Sequence, residues 1–253
     1  MGSFVFLIMF AVSDWLAPHY IGWLLKGFYL TLWLSALVSV VATLLGFFVC
    51  LGRLSARRLP NLLSRAYLSL FRNTPLLIQL FFWYFGASGL MPESWVAWLN
   101  TPHRITMGGL PLSWPSFEFL AALWGLSLYT AAFIAEELRS GVQGVRSSQW
   151  AAARSLGLAD FQIWRWIIMP QALRNAFPSL LGQYMNTIKN TSLTMAIGLA
   201  ELSYASRQVE TESLKAFQAF GIATALYVLA VALVEVGGQY LQRHRYQVWG
   251  GQR

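Results

Sequence analysis

The sequence predicts an all-α integral membrane protein with about five transmembrane helices. Of its 253 residues, 57% are hydrophobic and 11% are charged, whereas soluble domains carry roughly 25% charged residues. The chain therefore has too few charges to cover a water-facing surface of its size. Its apolar residues also fall in long stretches, and a helix that crosses a bilayer needs roughly 20 mostly apolar residues.

Four apolar stretches predict spanning helices directly. The third of them, at residues 117–138, is interrupted in its last turn by two neighbouring carboxylates, Glu136 and Glu137. We expect these spans at residues 27–52, 74–90, 117–138 and 217–239.

A further span is predicted between the third and the last, at residues 178–202. Gln183, Asn186, Lys189 and Asn190 interrupt this stretch. Such groups are costly at membrane depth unless they face protein or a water-filled cavity. We interpret the stretch as a span that lines a pathway, in which the helix can be broken.

The basic residues predict how the chain is oriented. Most of the 18 lysines and arginines follow the first, third and last spans, and few lie in the other two loops. By the positive-inside rule, the N-terminus then lies outside and the C-terminus in the cytoplasm. The net charge of +8 reflects this bias, and we expect no nucleic-acid partner.

The cytoplasmic loop at residues 139–174 is too long for a simple connection. Residues 148–156 are good helix formers, Gly157 ends that helix, and residues 160–168 suggest a second helix before Pro170. Two short helices at a sharp angle form a protruding knob that can receive force from a soluble partner. The alternative is an ordinary amphipathic surface loop.

The run AAARSLGLADFQIWRWIIMPQA in this loop resembles the EAA loop of binding-protein-dependent ABC permeases. Two residues depart from that motif, because Ala151 replaces its usual Glu and Met169 its Leu. The missing carboxylate removes a charged contact to the ATPase. The resemblance implies an ATPase-coupling role for Ala151, Ala152, Ala153, Leu156, Gly157, Ile167 and Pro170.

Three more stretches resemble the polar amino-acid branch of this family, in the same order along the chain. FRNTPLLIQL is similar to its FRGTPLLVQL signature, YTAAFIAEELRSGVQGV to AYxAEIxRGGIQ, and KNTSL to KxTSL. The resemblance covers most of the chain, from about residue 27 to residue 239.

This resemblance implies a type I ABC importer permease of the MetI-like fold in the bacterial inner membrane. Residues 1–26 would form a periplasmic N-terminal segment, 27–240 the transmembrane domain and 241–253 a cytoplasmic tail. The implied partners are an ATP-binding cassette ATPase dimer, a second permease subunit, a periplasmic amino-acid-binding protein and membrane lipid. We expect the second permease to be a homologous, non-identical chain, and a second copy of this chain stays open. Glutamate or aspartate is the first substrate expected, and another polar amino acid stays open.

The chain itself is expected to be neither an enzyme nor a cofactor-binding protein. It contains no Gly-Lys-Ser or Gly-Lys-Thr, so ATP and Mg²⁺ are expected on the partner ATPase. Its three histidines lie outside the predicted spans, which disfavours an intramembrane enzyme. A secondary carrier or channel not driven by ATP is the main alternative, although we find no internal repeat.

The candidate substrate pathway centres on the polar part of the fourth span. An amino acid crosses as a zwitterion, which needs a cation or amide for its carboxylate and polar acceptors for its ammonium. The alternative is that Lys189 reaches a membrane interface while its neighbours cap a broken helix. The candidates are Lys189, Asn190, Thr191 and Ser192, with Asn186 and Gln79 as second choices.

Three other positions have two interpretations each. Gly157 allows a close backbone approach and a turn, or is a plain helix C-cap. Arg72 and Asn73 anchor the cytoplasmic boundary of the second span or line the path. Glu136 and Glu137 form a salt bridge with an arginine such as Arg139 or act as a gate.

Overall fold

The computed structural model describes residues 16–101, 104–107, 110–113 and 116–250, and helices dominate this part of the chain. The first elements are α1 (Pro18–Leu54), α2 (Arg58–Asn73), α3 (Leu76–Phe81, then π-helical Phe82–Gly86 and α-helical Ala87–Gly89), α4 (Glu93–Asn100), β1 (Arg104–Met107) and β2 (Leu110–Ser113). The remainder are α5 (Phe117–Gln143), α6 (Ser147–Ser155), α7 (Asp160–Gln162, π-helical Ile163–Ile168 and Met169–Asn190), a 3-10 helix (Thr191–Ile197), α8 (Leu202–Ser213) and α9 (Ala216–Gly250).

Three helices among the described residues are long and apolar enough to cross a bilayer, by length and composition. They are α1, α5 and the part of α9 at Ala216–Gln242, which match the first, third and last predicted spans. The prediction of a helical membrane fold is confirmed. A two-stranded antiparallel hairpin, which the sequence did not predict, pairs Arg104 with Ser113 and Met107 with Leu110.

The other two predicted spans are less regular. The second corresponds to a shorter apolar helix, Leu76–Gly89. In the fourth, the α-helix contains Pro178, ends at Asn190 and continues as a 3-10 helix. Gly198 closes this 3-10 helix with a positive φ of 86°. The break falls within the polar part of the predicted span, as expected from its composition.

The outer limits of the helices differ from the predicted boundaries. Helix α1 already begins at Pro18, so the boundary expected after residue 26 lies inside it. Helix α9 runs to Gly250, so the predicted tail from residue 241 begins within a helix. The stretch just before the predicted start is itself rich in apolar residues (YIGWLL at 20–25), so α1 begins earlier than the predicted span.

The described chain forms two compact units that alternate along the sequence. The first consists of the described residues of Met1–Ala36, Leu80–Ala122 and Ile188–Arg253, and the second of Leu37–Gln79 and Leu123–Thr187.

The core of the second unit is built largely from small side chains. Because lipid is as apolar as leucine, membrane helices associate through close backbone packing, which small residues permit. In addition, the Tyr67 hydroxyl of α2 donates a hydrogen bond of 2.6 Å to the Leu128 carbonyl of α5. The buried residues of this core include Ala42, Cys50, Ala131, Ala132, Ile134, Ala135 and Ala176.

The core of the first unit joins the start of α1 to α8 and α9. Leu24 is fully buried against Leu202 and Val209 of α8 and Ala219 of α9. A carboxylate, Glu201, is also fully buried in this unit.

Candidate functional site

The end of helix α6 forms the turn at the tip of the predicted coupling loop. The Leu158 N–H donates to the Ala153 carbonyl at 3.3 Å, and the Gly157 N–H donates to the Arg154 carbonyl at 2.9 Å. Gly157 has φ +72°, so these bonds make the αL helix ending that favours glycine. A Cβ at this position would meet no atom within 4 Å. The chain itself therefore supports the C-cap interpretation of Gly157 and shows no close approach there.

The second helix of the loop is not a separate short helix, contrary to the prediction. The turn Asp160–Gln162 passes through π-helical Ile163–Ile168 directly into Met169–Asn190. Pro170 therefore lies within α7 and does not end a helix. The π-helical turn changes the hydrogen-bond spacing just before Pro170, which accommodates a residue without an N–H.

The loop packs on a small apolar core of its own. Ala153 is 1% exposed and lies with Ile163 and Ile168 in this core. The rings of Trp150 and Trp164 meet edge-to-face at 5.4 Å, which joins α6 to α7. Because its two helices share a core, the loop can move as one body.

The predicted coupling residues divide between this core and the surface. Ala153 is buried and Ile167 is half-buried. The exposed ones are Ala151, Ala152, Leu156, Gly157 and Pro170.

Large apolar side chains are exposed next to these residues. Leu156 is 79% exposed, Phe161 77% and Trp166 71%. Large apolar side chains at this exposure are available to a partner. Phe161 and Trp166 were not among the predicted coupling residues, although two aromatic side chains in a loop expected outside the lipid could have indicated them.

The candidate pathway residues of the first unit are only partly brought together. Lys189 and Ser192 line the same cavity of about 410 Å³. Thr191 is fully buried, and its hydroxyl donates to the Ile188 carbonyl at 2.7 Å. Asn190 is half-buried and does not line this cavity. Thr191 therefore supports the 3-10 helix, whereas Lys189 and Ser192 are available to a solute.

Helices α8 and α9 supply the other polar groups of this cavity. Arg207 and Ser203 come from α8, and Thr224 and Tyr227 from α9. No carboxylate is found among the described residues that line the cavity. With Lys189 and Arg207 the cavity has a positive charge and several hydroxyl groups.

The buried Glu201 holds the wall of this cavity together. Its Oε1 accepts a hydrogen bond from the Tyr204 N–H at 3.0 Å, so Glu201 caps helix α8. Its Oε2 accepts from the Tyr227 hydroxyl at 2.6 Å and the Thr31 hydroxyl at 3.3 Å. A Cβ on Gly27 would lie 2.9 Å from the Glu201 carbonyl oxygen, so α1 needs glycine there. Sequence reasoning gave Glu201 no role.

The two second-choice residues belong to the second unit. Asn186 is exposed. Gln79 is buried, and its side-chain amide donates to the Phe71 and Thr74 carbonyls at 3.0 and 3.1 Å. These bonds fix the connection between α2 and α3, while the buried Gln79 Oε1 has no hydrogen-bond partner among the described residues.

The carboxylates of α5 make contacts with neighbouring polar groups. The Arg139 Nε lies 3.1 and 3.0 Å from the two Glu136 oxygens, and Nη2 also contacts Oε1. This confirms the predicted salt bridge. Glu137 instead accepts a hydrogen bond of 3.4 Å from the Gln183 amide.

Long apolar helices, a loop folded on its own core, and a cavity lined by two cations and several hydroxyl groups are features of a membrane transport subunit. The chain belongs to the family of binding-protein-dependent transport system inner membrane components, which matches residues 40–247. This confirms the resemblance that the EAA-like loop indicated.

Known relatives agree with this assignment. The chain is 31% identical over 216 residues to the glutamate/aspartate import permease protein GltJ of Escherichia coli (strain K12), with 85% of this chain and 84% of the relative covered. It is also 31% identical to the probable glutamine ABC transporter permease protein GlnM of Bacillus subtilis (strain 168), with 87% and 91% covered. A solved amino acid ABC transporter chain superimposes with a TM-score of 0.75 at 26% identity, covering 89% of this chain and 95% of that chain.

Proposed function

We propose that this chain is the permease subunit of an ATP-driven importer of amino acids in the bacterial inner membrane. The observation that carries the proposal is the knob: a folded loop with its own core that exposes Leu156, Phe161 and Trp166. A separate ATPase dimer would bind ATP and Mg²⁺ and dock on this surface. A periplasmic binding protein would deliver the amino acid.

The knob is suited to transmit force because it is rigid and continuous with a membrane helix. Its second half runs without a break from Asp160 into Met169–Asn190. A push on the surface around Leu156 and Gly157 would therefore be passed to the start of α7. Ala151 leaves an apolar contact where the family usually has a charged one.

The cavity beside Lys189 is the proposed place of substrate contact. Lys189 and Arg207 would bind carboxylates, while the hydroxyls of Ser192 and Ser203 would accept hydrogen bonds from the ammonium group. Two cations without a facing carboxylate favour a substrate with two carboxylates. We therefore propose glutamate or aspartate first, in line with the name of the Escherichia coli relative.

The second permease is proposed to be a homologous but different chain. In that arrangement only one of the two subunits needs the Lys189–Arg207 cavity. Two identical chains would present two such cavities.

The test is affinity purification of the native complex in mild detergent, followed by identification of every component by mass. We expect an ATPase and a second, different permease with the wild-type chain. If no ATPase accompanies it, the importer proposal is wrong and an ATP-independent carrier becomes the better account. If the ATPase is present but this chain is the only permease, the importer proposal stands and the mixed pair is wrong.

A further inference from the structure

A basic cavity of about 380 Å³ lies in the second unit, between the end of α1, helix α2 and helix α5. Arg53, Arg65 and Arg72 line it. Among the described residues, none of their guanidinium groups is in a salt bridge. The Arg72 guanidinium lies over the Phe133 ring, 5.5 Å from its centre.

The net charge of this cavity is positive. Glu136 is the acidic residue in its lining, and the adjacent Arg139 already neutralises that carboxylate through its Nε at 3.1 and 3.0 Å. The basic groups around this lining outnumber its carboxylate, although Glu136 also interacts electrostatically with Arg72 and Arg53. Ser69 and Asn73 add neutral polar groups to the lining. Such a group of donors fits an anion, and guanidinium groups match a phosphate group in shape.

Exposed leucines lie on the same helix as two of these arginines. On α2, Leu59 is 66% exposed, Leu63 61% and Leu70 60%. These three share one face of α2, while Arg65 and Arg72 share another, roughly 150° around the helix at about 100° per residue. Leu62, which is 63% exposed and lies one turn before Arg65, connects the apolar face to the basic one. A basic amphipathic helix of this kind lies in a membrane interface, with its leucines among acyl chains.

The depth of the cavity in the membrane agrees with this arrangement. Arg53 lies in the last turn of the spanning helix α1. The end of a spanning helix is at the level of the lipid headgroups, where the phosphates of the bilayer are found. An anion at that depth, with apolar surface next to it, is a phospholipid.

We propose that this cavity binds the headgroup phosphate of an anionic phospholipid, whose acyl chains run along the leucines of α2. Arg65 and Arg72 donate to the phosphate oxygens, and Arg53 holds the same headgroup from α1. Basic sites at a membrane surface attract anionic lipids in this way. The lipid would bind to the permease whatever amino acid it transports.

The experiment is native mass spectrometry of the assembled transporter, purified with equal amounts of phosphatidylglycerol and phosphatidylcholine. We expect the wild type to retain phosphatidylglycerol preferentially. Arg65→Gln and Arg72→Gln should each lower the bound fraction about fivefold, the effect of one basic residue near an anionic surface. Arg57→Gln removes the same charge at an exposed position outside the lining and should leave retention unchanged.

Two results would overturn the proposal. One is equal retention of the two lipids, or a loss with Arg57→Gln as large as with Arg65→Gln. The other comes from titration with inorganic phosphate. If Arg65→Gln and Arg72→Gln weaken phosphate binding but leave phosphatidylglycerol retention unchanged, the cavity binds a soluble anion instead. The Arg65→Lys variant should retain more phosphatidylglycerol than Arg65→Gln, because it keeps the charge.

Discussion

The Tyr227 hydroxyl of α9 donates a hydrogen bond of 2.6 Å to Glu201, a carboxylate that is fully buried at the start of α8. The same hydroxyl lies 3.0 Å from Ser203 Oγ. A buried carboxylate is tolerated only when its oxygens are hydrogen-bonded. The Glu201 carboxylate links three helices, α1, α8 and α9, because the Thr31 hydroxyl of α1 donates a hydrogen bond to it as well.

We therefore predict that Tyr227→Phe destabilises the first unit by about 1–3 kcal/mol, the cost of leaving a buried acceptor short of a partner. Tyr29→Phe is the control, because Tyr29 is 70% exposed on α1. Thermal unfolding in detergent measures the difference. Equal stability of the two variants would show that the Glu201 network does not hold this unit together.

The turn at Gly157 predicts different effects for two substitutions. At φ +72°, a β-branched residue is strained, whereas asparagine tolerates this conformation. Gly157→Val should cost roughly 1–2 kcal/mol and weaken ATPase binding, and Gly157→Asn should bind nearly as well as wild type. Co-purification of the ATPase measures this. If both variants lose the ATPase equally, the partner needs the space at Gly157 and not its backbone conformation.

The exposed surface of the knob predicts a binding hot spot. Trp166→Ala should weaken ATPase binding by about 2 kcal/mol or more, roughly thirtyfold, because tryptophan often anchors interfaces. Trp95→Ala is the matched control, since Trp95 is 65% exposed on the short helix α4. Binding of the purified ATPase to immobilised permease gives both affinities. A thirtyfold loss of ATPase affinity with Trp95→Ala instead would show that the ATPase does not dock on the knob.

The cavity predicts a charge effect on transport. Lys189→Gln removes one of its two cations and should raise KM for glutamate on the order of tenfold, with a smaller effect on glutamine. Lys26→Gln removes an exposed lysine outside this cavity and should change neither value. Uptake of labelled amino acids into proteoliposomes measures both. An equal change for glutamate and glutamine would contradict recognition of the second carboxylate.

The sequence predicted the spans better than the details within them. Long apolar stretches placed α1, α5 and α9, because bilayer thickness constrains length and composition together. The polar residues around Lys189 also indicated the broken helix. Pro170 was misleading, because the π-helical turn before it depends on hydrogen-bond geometry that a local pattern does not contain.

The candidate site was predicted only in part, for a similar reason. The EAA-like motif identified the loop, and Gly157 within that motif indicated the turn at its tip. Glu201 could not be found, because its partners Thr31 and Tyr227 are far apart in sequence and meet only in the fold. The burial of Gln79 could not be predicted, because a buried amide and a solvated one look alike in a sequence.

The most direct test of the account is uptake of labelled glutamate by proteoliposomes that contain the purified transporter, its ATPase and its binding protein. We expect uptake to require ATP inside the vesicles and to stop with a non-hydrolysable ATP analogue. Uptake should also be lost when Trp166→Ala prevents docking of the ATPase. Uptake of the same size by the permease without ATPase or ATP would contradict it.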